Sequence, residues 1–336
     1  MLASEQGRRA NIYDVAKLAG VSHQTVSRVL NNHASIRPAT RARVEAAVRE
    51  LNYRPSMAAR ALVTNKNRML GFLVGDTSLF GPAGWLNAIE RQARAAGYYA
   101  VTVALKNDAP ETWADAIEHI RKIGVEGLVC IAIKKRAVEL AAAAYPNTPI
   151  VGVDTEEVPG VTTIGIDNIA GARIATEHLI DLGHRNILHI AGPTDSIDAM
   201  ARVKGYTTTM QEHGLTPRVI QGDWATSTGF RLGVDLNLDL DNITAIFTAN
   251  DHLAMGLMKA LRMRGIAMPE QVSIIGFDDM PEAPYFDPPL TTIVQEFNRL
   301  GETAMELLIY KINGLRAAKP APLVPKLAVR ESTKRI

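Results

Sequence analysis

Polar residues stand at the ends of several apolar runs. Asp154 follows PIVGV, Asn250 and Asp251 follow AIFTA, and Asp278 follows SIIGF. Arg202 begins a helical turn after HIAGP, and Trp224 follows QGD in a loop. Carboxylates, an amide and a guanidinium pair well with hydroxyl groups, and an aromatic face covers the C–H side of a sugar ring. The set therefore suits a small polyhydroxylated ligand. An Asp after a strand can equally cap the next helix, and for Asp251 both readings stand.

A second set lies near the N-terminus. In residues 23–30, Val26, Val29 and Leu30 share one face at helical spacing, while His23, Gln24, Ser27 and Arg28 occupy the other. Arg pairs bidentately with guanine and Gln with adenine, so this polar face fits base edges. A plain solvated face is the alternative. Against it stand the local helix signals: Asn11 and Asp14 cap a stripe of Ile12, Val15, Ala16 and Ala19, Gly20 ends it, and Ser22 caps 23–30. Two helices joined by a short Gly-containing turn are the signature of a helix-turn-helix. A third helix begins at Pro38 and buries Val44, Ala47, Val48 and Leu51. Residues 55–62 (PSMAARAL) read as a short helix too brief to persist alone in water, or as a plain linker. Leu62 at its end suits a minor-groove wedge.

Charge supports a polyanion partner for the head. Residues 1–65 hold ten Lys/Arg and four acids, a surplus of six, within a chain whose net charge is only +2. Cys130, the one cysteine, lies in the apolar run GLVCIAI, which leaves no disulfide framework or multi-cysteine metal site. The histidines show no metal spacing, and His178, His184 and His189 are expected to pack or hydrogen-bond structurally. No GxSxG, P-loop, GxGxxG or HExxH motif occurs. No catalytic residue, metal or cofactor is therefore expected. No run of about 18 apolar residues marks a membrane span, and MLASEQGRRANIY lacks a secretory core, so a cytoplasmic, nucleoid-associated protein is expected.

From residue 69 short apolar strands alternate with amphipathic helices. Strands are expected at Met69–Val74, Tyr99–Ala104, Gly127–Ile131, Ile150–Val153, Asn186–Ala191, Ala245–Thr248 and Val272–Gly276. Helices are expected at 84–97, 111–124, 168–183, 198–214, 226–236 and 250–265. Such alternation implies parallel doubly wound sheets with ligands at the carboxyl ends of their strands, and the repeats are too many for one lobe.

The run YDVAKLAGVSHQTVSRVLNN…TRARVEAAVRELNYRPSMAARAL resembles the head of the LacI/GalR family of transcriptional regulators, and LGHRNILHIAGP, GDWATSTGF, TANDHLAMG, IIGFDD and PPLTTI continue the likeness. Within the family the chain looks most like the lactose-type branch, without its leucine-rich tetramerisation tail. The resemblance implies an α/β protein with a small all-α helix-turn-helix headpiece (1–54), a hinge helix and linker (55–66), and a two-lobed periplasmic-binding-protein-like α/β domain with parallel doubly wound sheets (67–336). Its N-lobe would hold about 67–165 and 296–322, its C-lobe about 166–293 and 323–336. The partners implied are a near-palindromic double-stranded DNA operator, a second copy of the chain and a small-molecule effector, most simply a sugar that releases a repressor.

DNA contacts are implied for Tyr13, Ser22, His23, Gln24, Thr25, Ser27, Arg28, Asn31, Ala59 and Leu62. Arg202 matches the sugar-gripping arginine. Asp154, Asn250, His252, Asp278 and Gln295 fall at polar pocket positions, and Leu79, Pro82, Trp224 and Phe297 at pocket walls. Asp198, Trp85 and Ile131 replace a serine, a smaller aliphatic residue and an asparagine of the lactose type, and His23 replaces a tyrosine. A purine-type regulator with a nucleobase corepressor and a non-regulatory sugar-binding protein are the alternatives.

Overall fold

The computed structural model describes residues 10–30, 33, 35–53, 66–105, 109–238, 242–316 and 318–336. Backbone contacts divide the chain into two compact units, Met1–Asn67 and Arg68–Ile336. Among the described residues no helix is long and apolar enough to cross a membrane.

The first unit holds helices α1 (Ile12–Ala19), α2 (His23–Leu30) and α3 (Pro38–Glu50). Asn11 Oδ1 accepts from the amides of Tyr13 and Asp14, and Asp14 accepts from the Asn11 amide, a reciprocal capping box. Gly20 ends α1 with φ 63°, a left-handed conformation that an L side chain strains to adopt. Ser22 Oγ accepts from the Thr25 amide and starts α2. The core beneath is Val15, Ala16, Ala19, Val26, Val29, Val44 and Ala47. Val48 and Leu51 only half-bury against it. The Arg41 guanidinium donates to the carbonyls of Val29 and His33, a cation placed at the carboxyl end of α2.

The second unit contains two sheets. The first runs β2-β1-β3-β4-β5, all parallel, from β1 (Met69–Val74), β2 (Tyr99–Ala104), β3 (Gly127–Ile131), β4 (Ile150–Val153) and β5 (Thr162–Ile164). One face packs on α4 (Phe80–Ala95) and α11 (Phe297–Ile312) through Trp85, Ile89, Leu300 and Leu308. The other packs on α5 (Pro110–Ile123) and α6 (Lys135–Ala144) through Trp113, Ile117, Ile120 and Val138.

The second sheet runs β11-β10-β9-β8-β6-β7. Its strands are β6 (Ile187–Ala191), β7 (Arg218–Gln221), β8 (Ala245–Thr248), β9 (Ser273–Asp278), β10 (Thr291–Val294) and β11 (Lys326–Ala328); only β11 is antiparallel. Helices α7 (Asn168–Asp181) and α8 (Ile197–Glu212) cover one face, and α9 (Thr226–Asp235) and α10 (Asp251–Met263) the other. The chain passes from one sheet's lobe to the other after β5, after β10 and before β11.

The long buried strands fall where the apolar runs predict them. Strands β5, β7, β10 and β11 were not expected: each has three or four residues, and β7 (RVIQ) is largely exposed, so none presents an apolar run. Helices α6 and α11 were also not expected. Neither has a side-chain cap at its N-terminus to mark its start.

The three histidines do structural work. His178 meets Thr333 at 3.0 Å, and His184 lies between Thr244 and Ser273. His189 Nδ1–H donates to the Phe247 carbonyl while its ring stacks on Phe247 at 4.5 Å. Burial holds the His189 imidazole down to about 4. The unfolded chain therefore takes up a proton here before the folded chain does. Stability from this group is complete above the ordinary imidazole range and declines as pH falls through about 4, a change of about 3 kcal/mol over roughly 2.5 pH units. Imidazole NMR should show His189 uncharged until pH nears 4. Titration near 6.5, the ordinary value, would contradict the burial argument. Cys130 is also buried, and its thiol is pushed up to about 12.

Candidate functional site

In the head, His23, Gln24 and Arg28 are exposed on one face of α2, and Thr25 and Ser27 are half-buried beside them. Tyr13 on α1 is 64% exposed, and its ring lies 5.1 Å from that of His23. These side chains extend the polar face across both helices. Ser22 is exposed, but its hydroxyl serves the α2 cap and meets Thr25 Oγ1 at 3.0 Å. Asn31, Ala59 and Leu62, with the whole segment 55–62, lie outside the described residues.

In the second unit the strand order places a site. Both sheets reverse their winding direction at their first strand, between β1 and β3 in one and between β6 and β8 in the other. Crevices at such points, outside the strand carboxyl ends, are where ligands bind. A cleft of about 800 Å³ opens there. Its polar lining follows the strands in turn: Asp76 after β1, Lys134 after β3, Asp154 after β4, Asp195 and Asp198 after β6, Asp223 after β7, Asn250 after β8, Asp278 at the end of β9 and Gln295 after β10.

Arg202 is the buried centre, 3% exposed. Its Nε donates to Asn168 Oδ1 at 2.9 Å, Nη1 donates to the Ala249 carbonyl, and Asp278 Oδ1 lies 3.6 Å from Nη1. The guanidinium stands 3.7 Å above the Phe277 ring and 5.4 Å from the Trp224 ring. Asn168 also donates to Asp198 Oδ1 at 2.8 Å, and Gln295 Nε2 donates to Asp278 Oδ1 at 2.6 Å. The Trp224 indole is seated on Gly192, where an added Cβ would fall 2.6 Å from the ring. Asp154 (φ 51°) and Asp278 (φ 117°) both hold left-handed backbone that disfavours residues with a Cβ. Strain of this kind collects where a side chain must point at a ligand.

Burial sets the charge state. It raises Asp154 well above the ordinary carboxylate range, and the adjoining Asp198 carboxyl raises it further. Burial lifts Asp278 to about 6, against the pull of Arg202.

The cleft gathers Leu79, Pro82, Trp85, Asp154, Asp198, Arg202, Trp224, Asn250, His252, Asp278 and Gln295. Phe297 is a correction: it is absent from the lining and stands behind the wall, edge-on to Phe80 at 5.6 Å and to Trp85 at 6.2 Å. Trp85 is large enough to occupy the surface that Phe297 was expected to present. Ile131 is wholly buried in β3 and does not line the cleft. Asp251 is not the α10 cap and not a ligand group: Asn250 caps α10, while Asp251 accepts from the Met280 amide and from Thr292 Oγ1. Sequence reading missed Asp76, Lys134, Asp195, Asp223 and the positioning residue Asn168. The first four follow a strand end by two to four residues, where loop geometry rather than the apolar run decides which side chain reaches the cleft.

Family models match parts of both units. Residues 11–56 match the family model of bacterial regulatory proteins, lacI family, and residues 176–333 match a periplasmic binding protein-like domain. The chain is 32% identical over 326 residues to the lactose operon repressor of Escherichia coli K12, covering 96% of this chain and 90% of that one. It is 34% identical over 307 residues to the ribose operon repressor of the same strain, covering 90% and 93%. A crystal structure of the lac repressor dimer bound to operator and the anti-inducer ONPF superposes with a TM-score of 0.87 at 30% identity, covering 97% of this chain and all of that one. With its helix-turn-helix head, its effector-binding-type cleft and this full-length likeness, the chain belongs to the lacI family of DNA-binding transcriptional regulators.

Proposed function

We propose that the protein is a repressor that binds a near-palindromic operator as a homodimer and is released when a small saccharide enters the cleft. The observation that carries the ligand reading is Arg202, held by Asn168 and Asp278 beside the Trp224 face. A guanidinium flanked by carboxylates grips vicinal hydroxyls, and the indole covers an apolar ring face. Dimer and operator are taken from the lac repressor structure. The role is binding rather than catalysis, in the cytoplasm at the nucleoid.

On the DNA side, Tyr13, His23, Gln24 and Arg28 read or position the half-site, with Asn31, Ala59 and Leu62 assigned by resemblance. The saccharide acts by its differential affinity for two arrangements of the protein, a coupling of about 1–3 kcal/mol. Fluorescence anisotropy on operator-like duplexes, with and without mono- and disaccharides, tests the whole reading. A sugar that weakens binding is the expected result, and no response to any sugar would overturn it. In the same assay Arg28→Ala should cost about 1–3 kcal/mol and relax base preference at one position. An unchanged preference would remove Arg28 from base readout.

Trp224 also favours a second reading, a purine stacked on its face. Calorimetry with nucleobases separates the two, and binding of a purine that strengthens DNA affinity would replace the sugar reading.

A further inference from the structure

The charge of the cleft narrows its ligand, on the premise that the effector is a saccharide. Seven of the lining residues are Asp or Glu and two are Lys or Arg. Both cations already face carboxylates: Lys134 reaches Asp195 at 3.2 Å, and Arg202 stands by Asp278. Arg202 is the cation that acts on Asp154 and on Asp278 alike, a single positive charge among the carboxyls of Asp154, Asp198 and Asp278.

Within this acidic cleft, Asp154 and Asp198 both line the wall, and the Asp198 carboxyl is close enough to push that of Asp154 up. They come from different lobes: Asp154 follows β4 of the first sheet, and Asp198 lies in the first turn of α8 beside the second. Two neighbouring carboxylates, Asp154 buried and Asp198 half-buried, repel unless a proton or a cation lies between them. The Asn168 amide satisfies one Asp198 oxygen but brings no charge. A second, independent acceptor waits nearby. Gln295 is 5% exposed and lines the cleft, its amide nitrogen is given to Asp278, and its Oε1 has no partner among the described residues. The one lining donor in the same condition is Trp85 Nε1–H. The lining thus asks for a ligand rich in donors, with at least one acceptor oxygen, and without negative charge.

We propose that the Asp154–Asp198 pair is a charge filter that selects a saccharide bearing an amino group. The ammonium lies between the two carboxylates and donates to both, with full charge assistance. A hydroxyl in its place donates to one carboxylate and leaves the other to bind a proton. A phosphate or uronate there adds a third negative charge beside a buried carboxyl. Affinity therefore ranks amino sugar above the parent hydroxyl sugar, and that above the acidic or phosphorylated sugar. Because the two carboxylates belong to different lobes, the same ammonium ties the lobes together.

Calorimetry and thermal shift on the full chain at neutral pH, with galactosamine, galactose, galacturonate and galactose 6-phosphate and the matching gluco and manno series, test the ranking. The amino sugar of the preferred series should bind at least about tenfold more tightly than its parent. The acidic forms should give no shift. In Asp198→Asn, isosteric and still bonded to Asn168, the amino-to-hydroxyl ratio should fall close to one. An amine without advantage, an acidic sugar that binds as well as a neutral one, or an advantage that survives Asp198→Asn overturns the filter alone. Silence from every sugar overturns the saccharide premise and the filter with it.

Discussion

Arg202→Met is expected to remove the effector response altogether while leaving DNA affinity within a few-fold of the parent. The side chain is 3% exposed, and its Nε and Nη1 are committed to Asn168, Ala249 and Asp278. That leaves the Nη2 end for a ligand. Two charge-assisted hydrogen bonds from it are worth about 1.5–3 kcal/mol each, so their loss weakens binding by about two orders of magnitude or more. Methionine keeps the volume and the apolar contact with Phe277, which limits collapse of the wall. The released Asp278, already lifted to about 6 by burial, takes a proton instead of remaining an unpaired charge. Anisotropy titrations of operator DNA with and without the effector measure both quantities at once. A response with an unchanged midpoint would show that the ligand does not use this arginine.

Val26→Asp should abolish DNA binding and spare the second unit. Val26 is fully buried in a core of seven Val and Ala side chains. A carboxylate placed there without a partner costs several kcal/mol. A head of this size holds about 2–7 kcal/mol in all, at 0.05–0.15 kcal/mol per residue. The head then unfolds. The contact division at Asn67 and Arg68 keeps the damage on one side. Gel shifts should show no complex even at low salt, while the ligand-dependent melting of the larger transition persists. Loss of ligand binding as well would mean that the two units stand or fall together.

The head was readable because its signals are local. Asn11, Asp14, Gly20 and Ser22 each set a backbone conformation within four residues, and the stripes above them follow directly. The central strands were readable because burial on both faces writes a continuous apolar run. The cleft was readable only in part. Asp154, Asn250 and Asp278 sit right at strand ends, whereas Asp195 and Asn168 reach the site through loop geometry and a helix start that no periodicity encodes. Asp251 shows the limit most plainly. It stands at a strand end like Asn250 beside it, yet one residue of rotation points it at Met280 and Thr292 instead of the ligand space. Phe297 shows the same limit on a wall, since Trp85 stands in front of it.

The threefold passage of the chain between the two sheets has a consequence for how the molecule is made and taken apart. The first sheet is closed by α11, which arrives about 130 residues after the last of its strands, and the second is finished by β11, which comes after α11. The first half cannot be excised as a contiguous gene fragment with its fold complete, and a fragment that holds the whole second half carries α11 with no sheet to cover. A nick in the loop around Gly160, between β4 and β5, would leave two pieces that each lack part of a core. The first sheet should then form only when the two pieces complement one another, which makes the region a natural place to build a split reporter whose reassembly reads out effector binding.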